Sequence, residues 1–107
     1  MKWEILDTEG QFLKLLESGG SFAVFKHSTR CSVSSVAKNR IERDWDLDIP
    51  IFYLDLIKFR AISNLIADKA HIEHQSPQLI LFKDGLPIYD ASHNAIIVSE
   101  VKEALLI

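Results

Sequence analysis

The sequence predicts an α/β fold with a mixed central sheet, and three observations carry that prediction. Short apolar runs alternate with stretches of helical periodicity through the first two thirds of the chain. Lys83-Asp84-Gly85 then separates two further apolar runs, and Asp-Gly is a strong hairpin signal because glycine takes positive φ freely. A last periodic stretch closes the chain. With 107 residues, 48% hydrophobic and 25% charged, this is the composition expected of one compact domain spanning 1–107, long enough to bury a core.

Each element has its own signature. Trp3 to Leu6 reads as a short edge strand, and Asp7 or Thr8 offers an N-cap for a helix carrying Phe12, Leu13, Leu15 and Leu16. Gly19-Gly20 ends that helix. Phe22 to Phe25 is a short apolar strand, after which Val33, Val36, Ala37, Arg40, Ile41 and Trp45 recur at helical spacing. Ile49 to Leu56 is apolar on both faces, as a central parallel strand is, with Pro50 near its start where a missing donor is tolerated. Ile62, Leu65, Ile66, Lys69 and Ala70 predict a third helix, and the polar segment His71 to Pro77 leads into the hairpin strands Gln78 to Phe82 and Leu86 to Ala91. A helix from about Ser99 to Leu106 follows. A right-handed crossover makes the first two main strands parallel, and the hairpin adds an antiparallel pair, with helices on both faces. That arrangement is thioredoxin-like.

Composition excludes several classes of function. A formal net charge of -3 gives no clustered excess of Lys and Arg for phosphate binding, so no nucleic-acid partner is expected. No apolar stretch approaches the roughly 18 residues of a membrane span, so no membrane partner is expected. Met1-Lys2-Trp3-Glu4-Ile5 lacks the apolar core of a signal peptide, and a lone cysteine makes no intramolecular disulfide, so a cytoplasmic, reducing location is expected. His71, His74 and His93 match no compact zinc spacing and read as surface histidines; no metal site and no bound cofactor are expected.

The one cysteine, Cys31, follows a strand and precedes a helix, in the run Phe25-Lys26-His27-Ser28-Thr29-Arg30-Cys31-Ser32-Val33-Ser34. A thiol at a helix N-terminus has its thiolate stabilised by unpaired amides, here those of Ser32, Val33 and Ser34. No acidic residue lies between Phe25 and Ala37, while Lys26, His27 and Arg30 lie close in sequence. Lys26 and His27 either lend a positive field to the thiolate or are solvated strand-end side chains. Arg30 either attracts the carboxylates of a small thiol or is simply exposed. A Cys31–His27 hydrolytic dyad is disfavoured, because such enzymes bring a distant histidine and an orienting group.

The block Lys26-His27-Ser28-Thr29 before Cys31, with Val33 and Ser34 after it, Ser76-Pro77 and Phe82-Lys83-Asp84-Gly85, resembles the monothiol bacilliredoxins of the YtxJ-like group over nearly the whole chain. Family members often carry proline directly after the cysteine, where this chain has Ser32. The resemblance implies a thiol-disulfide oxidoreductase that uses Cys31 to remove bacillithiol or a similar small thiol from mixed disulfides on client proteins. Both the thiolated clients and the small thiol would be partners, the latter as co-substrate. It also implies a cis Ser76-Pro77 bond beside Cys31, with Thr29, Arg30, Ser76 and Pro77 binding client or thiol. Ser34 stands where dithiol relatives keep a resolving cysteine; its hydroxyl could donate a hydrogen bond to the thiolate but cannot displace a client, so resolution would need an external thiol. Two other classes stay open: a non-catalytic interaction module, and a redox sensor capped at Cys31.

Overall fold

The computed structural model describes residues 1–107. Five strands, β1 (Trp3–Ile5), β2 (Ser21–His27), β3 (Ile51–Asp55), β4 (Gln78–Lys83) and β5 (Leu86–Ser92), form one sheet in the order β1-β3-β2-β4-β5. β3 pairs parallel with both β1 and β2, while β4 pairs antiparallel with β2 and with β5. The helices are α1 (Glu9–Glu17), α2 (Ser32–Asp44), α3 (Arg60–Ala70) and α4 (Val98–Leu105), with a 3-10 turn at His93–Ala95 that the sequence did not signal. The predicted mixed sheet, its hairpin and its four helices are all present.

Alternation along the strands divides the interior into two cores. Ala23 and Phe25 of β2 point to the side where Ala37 and Ile41 of α2 and Val98 and Val101 of α4 pack. Phe22 and Val24 point to the other side, against Phe12 of α1 and Ile62, Ile66 and Ala70 of α3. Successive strand side chains face opposite ways, so β2 is buried on both faces. Burying these side chains stabilises the fold by about 1.5–3 kcal/mol for each large one.

Local chemistry sets the boundaries. Thr8, not Asp7, caps α1, its hydroxyl accepting from Gln11 N–H at 3.1 Å. The β4–β5 turn holds Asp84 at φ 53° and Gly85 at φ 79°, the two positive values that a two-residue hairpin turn requires. Gly85 is further constrained: a Cβ there would meet the carbonyl oxygen of Leu16 at 2.8 Å. In α2 the buried side is Ser34, Ala37 and Ile41, whereas Val33 and Val36 face solvent. The larger correction concerns β2, which runs to His27 instead of stopping at Phe25. Its last two residues are interior and not solvated strand ends.

Candidate functional site

The site lies at the end of the sheet where β2 leads into α2 and where β4 begins. Cys31 is the N-cap residue of α2, with extended backbone (φ -117°, ψ 121°) and a half-buried side chain. Its N–H donates to Ser28 O at 3.2 Å, closing a turn, and its carbonyl accepts from Ser35 N–H at 3.2 Å, starting the helix. No side chain caps the first turn, so the amides of Ser32, Val33 and Ser34 point toward the end of the helix where the thiol sits. Thr29 and Arg30 are exposed and make no side-chain hydrogen bond.

Ser34 has a different job from the one expected of it. Its fully buried hydroxyl accepts from Ser28 N–H at 3.0 Å and lies 2.7 Å from His27 Nδ1. The hydroxyl thus bridges Ser28 N–H and the His27 ring. Ser34 therefore fastens the Cys31 loop to β2 rather than donating to the thiolate.

His27 is likewise a packed residue. Its ring lies 5.7 Å from Phe25 and 5.4 Å from Tyr53, centre to centre. Burial, and then the Lys38 charge, hold its pKa below the ordinary 6.5, so it is neutral at pH 7 and lends no positive field. Lys26 is displaced further. It leaves β2 on the opposite face, where Nζ donates to Ser63 O at 3.0 Å and contacts His74 Nδ1 at 3.2 Å. The sheet stands between it and α2, so Lys26 is not beside the thiol.

The second loop arrives through the register of β4. Lys26 pairs with Gln78; extending that antiparallel register by one and two residues sets Pro77 level with His27 and Ser76 level with Ser28. The Ser76-Pro77 bond is cis and Pro77 is buried. Pro77 O accepts from His93 N–H at 3.0 Å, while the backbone N–H and C=O of Ser76 have no partner within the chain. An extended peptide could pair with those groups by adding a short strand.

Two site residues escaped the sequence reading. His74, expected at the surface, is half-buried and contacts both Lys26 and Ser63, whose Oγ lies 3.1 Å from its Nδ1. Ser63 is fully buried on α3. Placing Lys26 on the Phe22–Val24 face would have pointed to α3, had β2 been drawn two residues longer. His71 and His93 are exposed, and no three His, Cys, Asp or Glu side chains gather as a metal site would need.

Known proteins share this fold. A protein described as a candidate oxidoreductase with a thioredoxin fold superposes with TM-score 0.82 at 30% identity, covering 94% of this chain and 91% of its own. Oxidised thioredoxin of Plasmodium falciparum superposes at 0.74 with 10% identity, covering 99% and 100%, and Malassezia sympodialis thioredoxin at 0.72 with 16%, covering 98% and 89%. These two share the fold. The thioredoxin fold, the placement of Cys31 and the match of residues 4–101 to the family described as monothiol bacilliredoxin BrxC agree, and the chain belongs to that family of thiol-disulfide oxidoreductases.

Proposed function

We propose that this protein removes bacillithiol, or a small thiol like it, from mixed disulfides on client proteins in a reducing, cytoplasmic setting. The Cys31 thiolate attacks the small-thiol sulfur of the mixed disulfide, the client leaves as a thiolate, and Cys31 carries the small thiol as a new disulfide. A second thiol from outside then attacks that disulfide, taking the adduct and returning Cys31 as a thiolate. No net electrons are lost within the chain.

The observation that carries this reading is Cys31 at an uncapped helix N-terminus with no second thiol in the chain. Ser34, at the position of a resolving cysteine, has its hydroxyl committed to His27 and Ser28. Level with Ser28 in the loop that leads to Cys31, the open backbone of Ser76 gives an extended client a place to pair, and Thr29 and Arg30, exposed just before Cys31 in the chain, are available for contacts with client or adduct.

Turnover decides the reading. Purified protein, with a reducing thiol supplied, should release bacillithiol repeatedly from a modified client, and Cys31→Ser should release none. One stoichiometric uptake without further release would mean a sensor, and no uptake an interaction module. The mass added to Cys31 in the native host after oxidant stress identifies the thiol.

A further inference from the structure

Lys26 is a buried charged group that the exchange chemistry does not use. It is fully buried, takes part in none of the chain's ion pairs, and has only Ser63 O and His74 Nδ1 as partners. Isolating an ammonium this way is costly, and burial pulls its pKa down to about 8. An apolar side chain of similar length would fill the space without that cost.

What the ammonium supplies is a tie among three elements. It leaves β2, reaches the backbone of α3 at Ser63, and reaches His74 in the segment between α3 and β4. An ammonium carries only donors, so Nδ1 of His74 presents its lone pair and the ring proton resides on Nε2. The ring is neutral: burial, then Lys26, then Arg60 hold its pKa below the ordinary value.

The same segment is also held by Gln78, the register partner of Lys26 on β4. Its Nε2 donates to Glu73 O at 3.0 Å, and its Oε1 accepts from Gln75 N–H at 3.4 Å. Glu73, His74 and Gln75 are thus all fastened immediately before Ser76, whose backbone is open.

We propose that Lys26 and His74 are positioning residues: with Ser63 they clamp the 74–77 segment beside Cys31, so that the Ser76 backbone is presented to an extended client. The clamp acts on client binding and leaves the thiol itself alone, because the sheet separates Lys26 from α2. This rests on the reading of Cys31 as the exchange nucleophile, but part of its test needs no turnover.

Two readouts test it in wild type, Lys26→Met, His74→Asn and His74→Gln. Long-range 1H–15N correlation of the wild type should show His74 protonated on Nε2; an Nδ1–H ring overturns the clamp. The second readout compares a peptide carrying a glutathione mixed disulfide with 2-hydroxyethyl disulfide, which has no peptide to pair. Lys26→Met should raise KM for the peptide about tenfold with kcat changed less than twofold, since small misplacements are felt strongly in binding geometry. The small disulfide and the iodoacetamide alkylation rate of Cys31 should be nearly unaffected.

His74→Asn should keep the wild-type peptide KM, its Oδ1 replacing Nδ1 as acceptor, whereas His74→Gln, whose amide reaches the Nε2 position, should behave like Lys26→Met. Equal losses on both substrates, a slowed alkylation, or no change in KM would each overturn the proposal. A wild type inactive on both disulfides would instead sink the exchange reading, and the His74 tautomer would then decide the clamp by itself.

Discussion

Lys26 and His27 are adjacent in the chain, both buried, both with pKa values lowered first by burial, and they serve different loops. His27 turns toward α2, where with Ser34 it fastens the Cys31 loop; Lys26 turns toward α3, where it fastens the segment leading to Ser76 and Pro77. One strand thereby secures both sides of the site. The alternation of side chains in a strand converts a sequence neighbour into a neighbour of the opposite layer, so one short block of residues supplies two independent anchors. The two anchors differ in charge. The His27–Ser34 pair is a neutral hydrogen bond and costs little to bury, whereas the Lys26 anchor keeps an ammonium without a carboxylate partner.

That comparison can be broken most sharply at the residue the anchors serve. Cys31→Ser should remove de-thiolation altogether, a loss of at least about a thousandfold, while thermal unfolding stays near wild type because the residue is only half-buried. Residual turnover in this variant would mean that the two anchors hold something other than the nucleophile.

Ser34→Ala tests the α2-side anchor. It leaves Ser28 N–H and His27 Nδ1 without their shared partner, which should cost about 1–3 kcal/mol in denaturant unfolding. Activity should fall with stability here, in contrast to the KM-selective loss expected at Lys26. An unchanged stability would show that the hydroxyl is not the fastening.

The α3-side anchor predicts a pH signature. From pH 8 to 10 the unfolded chain keeps the Lys26 proton that the folded chain releases, so stability should rise with pH by roughly 1–3 kcal/mol across that window. Lys26→Met should flatten the rise. Above pH 10 the sign reverses, because burial raises the pKa of Tyr53 and pushes that of Tyr89 up to about 12, so the folded chain then holds protons the unfolded chain has lost. Below pH 6.5 His27 and His74 both cost stability as the unfolded chain takes up their protons first. Denaturation midpoints measured at intervals from about pH 5 to about pH 12 check all three windows.

The smallest effect belongs to the departure at Ser32. Ser32 is the first residue of α2, its N–H has no backbone partner outside the helix, and Cys31 before it has the extended backbone that a following proline demands. Ser32→Pro should fold normally and gain up to about 1 kcal/mol through a less flexible unfolded chain. A destabilised Ser32→Pro variant would show that this chain holds the start of α2 differently from relatives that carry proline.

The strand and helix order, the hairpin turn and the position of Cys31 ahead of a helix were legible because each rests on local signals. These are the apolar runs around Phe22 and Ile51, Asp84-Gly85, and the periodicity from Val33 to Trp45. The faces were less legible. Val33 and Val36 recur with the apolar positions of α2 and yet face solvent, because Ser34, Ala37 and Ile41 are the residues turned toward β2. A buried serine and histidine look like surface residues in any composition-based reading.

The sequence by itself determined the fold class and the place of the lone thiol ahead of a helix, since hydrophobic period, turn chemistry and a unique cysteine are properties of short stretches of chain. Only the tertiary structure decided what surrounds that thiol. Lys26 meets Ser63 and His74 across 37 and 48 residues of sequence, and Ser34 is drawn to His27 instead of the thiolate. Those partnerships depend on strand register and on which face of β2 each side chain occupies. Burial then enforces them: a polar group removed from water must take whatever partner the packed layers bring to it.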